Sequence, residues 1–410
     1  MTPQLVFYII IAFILISFAV DQFLDWLNAK HFDDPIPQEL SDVYDEESYR
    51  KSQDYKKANA RFSTWTSSFM LVVTLGFFFA DGFGFIDRLA RSISENEIVV
   101  GLLFFGIIMI GSDILTTPFS YYKTFVIEER FGFNKSTPAL FFMDKLKGLL
   151  MTVLIGGGLL ALVIWFYQIS GDLFWLYAWI LFAVFAIVTN MFYARLIVPL
   201  FNKQTPLGEG ELRNKIESYA ISVGFKLNNI FVIDGSKRST KANAYFSGFG
   251  SEKRITLYDT LINDLEEEEI VAVLAHEVGH YRKNHILINL ATSLLLTGFT
   301  LWLLGVFVSE PVFSLGIGVE TPSFHAGLIA FGILYAPISG VTGFLMSVLS
   351  RKFEYQADDF AKFTYAAQPL ITSLKKLSRN SLSNLTPHPL YVKLHYSHPT
   401  LLQRYRNLKL

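Results

Sequence analysis

Seven apolar stretches dominate the sequence and limit the kind of fold it can adopt. A helix needs about 20 apolar residues to cross the hydrocarbon core of a bilayer. Seven runs approach or exceed that length: 5–20, 67–87, 98–117, 147–168, 174–201, 285–309 and 324–350. A large soluble protein with buried core helices is the alternative, but seven such runs in one chain argue against it. The sequence therefore predicts an all-α membrane protein with seven transmembrane helices.

The composition agrees with a membrane protein and excludes other classes. Hydrophobic residues make up 51% of the chain and charged residues 17%, against about 45–50% and about 25% in soluble domains. The formal net charge of -1 argues against a nucleic-acid partner. The first apolar run has no basic residue before it and no small-residue cleavage site after it, so we interpret it as a retained span rather than a signal peptide.

The basic residues are distributed very unevenly between the two sides of the predicted membrane. Of the 35 Lys and Arg, only Arg88 and Arg91 fall in loops on the side of the N-terminus, and Arg195 lies within a span. Positive charge marks the cytoplasmic side. We therefore expect the N-terminus outside and the polar segments 202–284 and 351–410 in the cytoplasm.

The insertion 202–284 has the pattern of a small α+β unit. Residue periodicity predicts helices at 211–225 and 265–284 and short strands at 229–235, 243–250 and 254–262. We interpret the acidic start "LEEEE" of the second helix as a solvated helix start. The sequence therefore predicts four parts. Residues 1–201 contain spans one to five, 202–284 form the insertion, 285–350 contain spans six and seven, and 351–410 form the C-terminal segment.

The stretch "VLAHEVGHYRKNH" (273–285) contains the pattern H-E-x-x-H in His276, Glu277 and His280. Residues four apart lie on one face of a helix, so both imidazoles can bind one ion. Glu277 lies beside them, where it can act on water as a general base. A chance match or a purely structural pair of histidines is the alternative. The pattern predicts one Zn²⁺ per chain and a metallopeptidase site.

A catalytic zinc site takes three protein ligands and leaves one position open. The segment "SRKFEYQADDFAKF" (350–363) offers Glu354 as the third ligand and Asp358, one turn later, as a hydrogen-bond partner of a ligating histidine. A juxtamembrane helix held by salt bridges explains the same residues. Among the other histidines, His285 is close in sequence, but we expect it to face away from the metal.

Several segments, in order and spacing, resemble the type I CAAX prenyl proteases, which are integral-membrane zinc endopeptidases. The matching segments include "VPLFNKQTPLGEGELRNKIE", "VIDGSKRSTKANAYFSGFGSEKRITLYDTL", "LAHEVGHYRKNH", "RKFEYQADDFA" and "HYSHPTLLQR". The resemblance implies seven helices that enclose an intramembrane chamber with the zinc site inside it. It also implies that a gluzincin-like α+β insertion supplies His276 and His280 as ligands and Glu277 as base, and that Glu354 is the third ligand.

The same resemblance implies further site residues. Asp358 matches an acid that supports a ligand, and His398 matches a histidine that faces the active site and stabilises the oxyanion. Asn243, with Ala244 and Tyr245, matches a position beside the cleft, in a predicted edge strand to which a peptide can add. One departure is "STKANAYF", where many relatives have His-Ser before Asn-Ala-Tyr.

The expected partners are a peptide or protein substrate and membrane lipid. In eukaryotic members of the family the substrate is a prenylated C-terminal peptide ending in Cys-a-a-X, and whether it is prenylated here is left open. The ending "RNLKL" is no organelle-return signal, so we expect a bacterial inner membrane rather than the endoplasmic reticulum.

Four other functions are compatible with parts of the sequence. An HtpX-type quality-control protease has fewer spans, and a site-2-type protease carries H-E-x-x-H inside a span. A transporter is suggested by Asp113 in the third apolar run, because intramembrane charge is often functional. A non-catalytic zinc scaffold is a further possibility for the histidine pair.

Overall fold

The computed structural model describes residues 1–225, 230–247 and 254–410. The helices there are α1 Pro3–Ala29, α2 Glu46–Phe79, α3 Gly82–Ile93, α4 Glu97–Tyr122, α5 Pro138–Met151, α6 Gly157–Ser170, α7 Phe174–Leu196, α8 Val198–Phe201, α9 Glu211–Ser222, α10 Asp259–Asp264, α11 Glu267–Arg282, α12 His285–Val308, α13 Pro311–Gly316, α14 Phe324–Leu334, α15 Ala336–Thr364, α16 Ala367–Asn380, α17 Pro389–His395 and α18 Leu401–Lys409. The strands are β1 Gln204–Pro206, β2 Ile230–Ile233, β3 Ala244–Ser247 and β4 Arg254–Tyr258. Short π-helical segments, Lys123–Glu128 and Thr152–Gly156, continue α4 and join α5 to α6.

Five helical segments in the described residues are long and apolar enough to cross a membrane, or six if the bent pair α14–α15 is one span. They are Pro3–Ala29, Glu46–Phe79, Glu97–Glu128, Pro138–Leu196 and His285–Val308. The prediction of a mainly helical membrane protein is confirmed, whereas the count of seven spans is not. The difference arises mainly at Pro138–Leu196, which counts as one element, although the sequence predicts two runs there.

The second predicted run, 67–87, is not one continuous helix. α2 ends at Phe79 and α3 begins at Gly82, with Asp81 between them in the left-handed conformation (φ 54°). Asp81 accepts a hydrogen bond from Arg88 in α3 at 2.8 Å. The helix therefore breaks at this polar residue, and the predicted span is shorter at its C-terminal end.

The α+β unit is a four-stranded sheet covered by helices, with the strand order β1-β2-β4-β3. β2 and β4 are parallel, and the other two pairs are antiparallel. β3 therefore lies at an edge of this sheet, as the sequence predicted. Two details differ: β1 was not foreseen, and α10 occupies the end of the third predicted strand.

The insertion and the C-terminal segment share one hydrophobic core. Ile255 and Leu257 of β4 pack with Leu274 of α11, and the same cluster includes Leu370 of α16 and Leu408 of α18. These five side chains are at most 2% exposed. The two segments are separated in sequence by α12, α13, α14 and part of α15. They therefore form a single folded unit that holds α11 against α15.

The acidic start of α11 is not simply solvated, so that interpretation is wrong. Glu266 and Glu269 form a capping box, and Glu269 also binds Lys376 of α16 at 2.8 Å. Glu267 and Glu268 bind Lys215 of α9 at 2.9 and 3.1 Å. The hydrogen bonds that Lys215 donates to Glu267, Glu211 and Glu268 raise its pKa. The acidic run thus connects α11 to both neighbouring helices.

Candidate metal centre

Close packing of α11 on α15 builds the centre. A Cβ atom added at Gly279 would lie 3.0 Å from Cα and 3.1 Å from the carbonyl oxygen of Ala357. A Cβ atom this close to backbone would push the two helices apart by a few tenths of an ångström, so glycine favours this approach. His276 and His280, one turn apart on either side of Gly279, consequently face Glu354 on α15.

The three donor groups have the spacing of one coordination shell. The Nε2 atoms of His276 and His280 are 3.1 Å apart, and each lies 3.3–3.4 Å from an oxygen of Glu354. Donors about 2.0–2.2 Å from a tetrahedral zinc ion are roughly 3.3 Å apart. Glu354 is 4% exposed, and its Oε2 atom makes no hydrogen bond. A cation satisfies that buried oxygen and separates the two nitrogens, so the residues fit a metal ion.

Asp358 and Arg404 orient His276 from the side away from these donors. Asp358 is fully buried, and its Oδ1 atom lies 2.9 Å from Nδ1 of His276. Arg404 holds the same carboxylate through Nε and Nη2, at 2.9 and 2.5 Å. A proton on Nδ1 then leaves the Nε2 lone pair free for a cation. The sequence predicted Asp358, but Arg404, the last residue of "HYSHPTLLQR", was missed.

Protons compete with a metal at His276. Burial and Arg404 lower the pKa of His276, but hydrogen bonds to Asp358 and Glu354 outweigh them and raise it to about 9. A metal ligand must offer an unprotonated nitrogen, so metal binding here releases a proton.

His285 does not face away from the metal ligands, contrary to the prediction. Its Nδ1 atom lies 3.0 Å from Nδ1 of His280, and its Nε2 atom lies 2.8 Å from Oε1 of Gln356. Its ring stacks on Phe353 with centroids 4.0 Å apart. The prediction failed because Asn284 is left-handed (φ 59°), so α11 ends and α12 starts in a new direction.

The contacts of His285 determine which nitrogen of His280 carries a proton. With Nε2 of His280 turned toward Glu354, Nδ1–H donates to Nδ1 of His285, and His285 then donates through Nε2–H to Gln356. Each candidate histidine ligand is therefore oriented by its own series of hydrogen bonds. The series at His280 begins with His285, the first residue of a membrane helix.

A cleft of about 390 Å³ contains the donor triad and most of the predicted site residues. Glu277 lines it, and so does His398, whose side chain is 63% exposed and whose Nε2 lies 3.3 Å from Oε1 of Glu354. Asn243 and Ala244 also line the cleft. Tyr245 is not among its lining residues, because alternate strand residues point to opposite faces.

Tyr245 packs instead on the far side of the sheet, against the buried cluster of Ala194, Val198 and Ile233. The structure therefore brings together eight of the nine predicted site residues, counting Asp358 behind His276, and separates the side chain of Tyr245 from them.

The free edge of β3 runs along this cleft. The carbonyl of Asn243 accepts a hydrogen bond from the N–H of Tyr258, so the backbone of alternate residues Asn243, Tyr245 and Ser247 faces β4. The backbone groups of Ala244 and Phe246 consequently point away from the sheet. The side chain of Asn243 accepts from the N–H of Ala244 at 2.9 Å.

Comparison with known proteins identifies the family. Residues 25–203 match the family model for the CAAX prenyl protease N-terminal region with five membrane helices, and residues 206–410 match that for peptidase family M48. The chain belongs to peptidase family M48. The resemblance seen in the sequence is thereby confirmed, and the protein is a membrane metalloprotease rather than a transporter or a scaffold.

Individual relatives cover nearly the whole chain. The CAAX prenyl protease 1 homolog of Arabidopsis thaliana is 37% identical, over 97% of this chain and 96% of the relative. CAAX prenyl protease 1 of Saccharomyces cerevisiae is 37% identical, over 97% and 93%. The crystal structure of S. mikatae Ste24p superimposes with a TM-score of 0.94 at 36% identity, covering 99% of both chains. The expected bacterial location gains no support from these relatives and stays a prediction.

The contact between His285 and His280 predicts an effect on metal affinity. Substituting His285→Ala removes the acceptor of the His280 Nδ1 proton, so we expect zinc affinity to fall about 10–100-fold. His285→Asn retains a carbonyl oxygen near that position and should restore most of it. Chelator competition on the purified apoprotein measures both values.

His325→Ala, at a buried histidine bound to Asp87, is the matched control for losing a buried imidazole. If His285→Ala and His325→Ala lower zinc affinity equally, the effect is one of general stability, and the orienting role of His285 is wrong.

Proposed function

We propose that the protein is a zinc-dependent endopeptidase that cleaves membrane-anchored peptides, of the kind with a prenylated C-terminal Cys-a-a-X sequence. The observation that carries this proposal is the position of the donor triad and the free edge of β3 in one cleft. The name of the relatives, CAAX prenyl protease 1, supports the prenylated substrate.

The donor set favours zinc, with one ion per chain. Two imidazoles and one carboxylate are the ligands of many catalytic zinc sites. The sequence has no cysteine, and no methionine is among the described residues that line the cleft, so no soft ligand favours a softer metal. When bound, zinc supplies a Lewis acid that makes water more acidic and polarises a peptide carbonyl. We assign His276, His280 and Glu354 as its ligands.

Two residues of the cleft move or stabilise charge in the proposed reaction. The carboxylate of Glu277 takes the proton of the attacking water and passes it to the nitrogen of the leaving amine. His398 donates a hydrogen bond through Nε2 to the carbonyl oxygen as negative charge develops there. Its high exposure lets the ring turn from Glu354 toward a substrate.

We propose that the substrate backbone pairs with β3. The outward N–H and C=O groups of Ala244 and Phe246 offer an extended peptide a ladder that demands little of its side chains. In this proposal the side chain of Asn243 accepts a hydrogen bond from the N–H of Ala244 until a substrate carbonyl takes its place. Asn243 and Ala244 thus bind substrate, whereas Tyr245 contributes only through the sheet.

The substrate enters from the membrane side in this proposal. His285 begins α12, and Ile286 and Asn289 of its first two turns line the cleft. A lipid attached to the peptide can therefore remain among membrane helices while the peptide reaches Glu277. This arrangement explains why a site that uses water lies at the end of a transmembrane span.

Seven spans around a chamber are supported by two observations. A straight helix of 59 residues would be about 88 Å long, but the rings of Phe166 and Tyr177 are 5.8 Å apart. The chain therefore folds back near Gly171 and supplies two spans. The accessible surface of 20828 Å² also exceeds the roughly 16,000 Å² of a compact protein of 46.6 kDa. A hollow arrangement of helices accounts for the excess.

Loss of the proposed general base tests the catalytic assignment. Glu277→Gln should lower the rate of cleavage of a quenched-fluorescent farnesylated Cys-a-a-X peptide by at least about 10²-fold. Zinc content should stay at one per chain, because this substitution leaves the three donors in place. Rates and metal content are measured on detergent-solubilised protein.

Glu209→Gln is the control, since Glu209 is an exposed carboxylate on the same unit and outside the cleft. Full activity in Glu277→Gln would refute its role. Cleavage of the unprenylated peptide at equal efficiency by wild type would refute the proposed substrate class, but not the endopeptidase.

Pairing with β3 predicts an alternating response to N-methylation of the substrate. Methylating an amide that bonds to the strand removes a donor, so KM should rise about 5–10-fold for about 1 kcal/mol. Methylation of the alternate amides, which point away from β3, should have little effect, since neighbouring amides of a paired strand point in opposite directions. A uniform response along the peptide would exclude strand pairing.

The charge distribution supports a topology with the N-terminus outside and the α+β unit in the cytoplasm. The chain contains no cysteine, so single cysteines are clean reporters of side. In sealed inside-out vesicles, a membrane-impermeant maleimide should label Glu209→Cys and spare Glu95→Cys, which is exposed between α3 and α4. The reverse pattern would invert the proposed topology.

A further inference from the structure

A groove between α2 and α4 lies apart from the metal centre. It has a volume of about 640 Å³ and is lined along both helices and the π-helical turn that follows α4. Pro118 lies inside α4 at this point, and a proline removes one backbone hydrogen bond and bends a helix. Pro118 and the π-helical turn Lys123–Glu128 form part of one wall of the groove.

The lining combines aromatic rings with two arginines and includes no acidic side chain among the described residues. Phe62 of α2 stacks on Tyr122 of α4 with centroids 5.5 Å apart, and Trp65 lies 5.9 Å from Phe119. Arg61 begins this face, one turn before Trp65. The groove is therefore apolar along its length and positively charged at one end.

The two arginines lack the counter-ions that their neighbours have. Lys57 of α2 binds Asp33 at 2.6 Å, and Lys241 binds Glu128 at 2.8 Å. Within the described ranges, neither Arg61 nor Arg130 forms an ion pair, and Arg130 only approaches the ring of Phe131 at 5.4 Å. Two unpaired guanidinium groups beside an apolar groove match a ligand with a negative head and an apolar tail.

The groove also lies where such a ligand is available. On the same side of α2, Trp65, Val72 and Phe79 are 67–69% exposed. Such a wholly apolar exposed face suits lipid, and Trp and Tyr concentrate at the bilayer surface. The arginines lie at the end of this face that carries the α+β unit. Basic pockets between helices at the cytoplasmic surface attract anionic headgroups.

We propose that this groove binds an anionic phospholipid, with the phosphate between Arg61 and Arg130 and an acyl chain along the aromatic side chains. The wall of the groove includes Val126 and Ile127, and the next residue, Glu128, holds Lys241 just before β3. The lipid therefore packs against a segment that is tied to the peptide-binding edge.

Lipid binding to the full-length protein in detergent tests the proposal. Native mass spectrometry with phosphatidylglycerol and phosphatidylcholine gives relative affinities. Wild type should prefer phosphatidylglycerol, and the double substitution Arg61→Gln, Arg130→Gln should weaken that binding about 30-fold, which corresponds to about 2 kcal/mol for two arginines. Arg50→Gln, Lys51→Gln is the matched control, because both residues are exposed on α2 about 16 Å before Arg61.

Three outcomes would overturn the proposal. Equal binding of both lipids by wild type excludes recognition of the headgroup. Displacement of phosphatidylglycerol by millimolar inorganic phosphate indicates a simple anion site, and displacement by a farnesylated peptide assigns the groove to substrate. If the double variant does not fold, a photoactivatable phosphatidylglycerol on wild type decides the matter, since it must crosslink to peptides of α2 and α4.

Discussion

The contact of α11 with α15 at Gly279 and Ala357 is the interaction on which the metal centre depends. The two helices supply all three donors, and their separation fixes the distance between imidazole and carboxylate. Overpacking by one methyl group commonly costs about 1–3 kcal/mol in a dense core. Here it would also separate the donors, because the obstructing atoms belong to the backbone of Ala357. Stability and metal binding therefore share one geometric requirement.

The core of the α+β unit keeps these helices in place from the outside. Its side chains come from the insertion 202–284 and from the C-terminal segment 351–410, and its ion pairs join α11 to α9 and α16. The membrane helices provide little of this support, since only 6–17% of an apolar 18-residue stretch in each of the five candidate spans is buried. The core of the α+β unit, which also includes Ala361 of α15, is thus the main support that holds α11 against α15.

The sequence predicted the helical membrane class, three of the four strands described in the α+β unit, and the donor residues of the centre, because each depends on a local pattern. Apolar length indicates a span, and a four-residue interval puts His276 and His280 on one face. Glu354 and Asp358 followed from the same interval on a second helix. The predictions that failed concern residues whose direction depends on where the chain bends. Asn284 turns His285 back toward His280, and nothing in the residue pattern fixes that angle. Arg404 was missed for a similar reason, since its partner Asp358 lies on a different helix.

The position of His285 links the metal centre to the surrounding bilayer. This residue is the first of a membrane helix and also contacts a proposed metal ligand, so α12 and the metal centre are mechanically connected. A helix answers a thinner or thicker hydrocarbon layer by tilting. Tilt of α12 moves its first turn, and with it the ring that holds the tautomer of His280. A change in membrane thickness that tilted α12 would therefore reach the metal centre through one imidazole, without any ligand or modification.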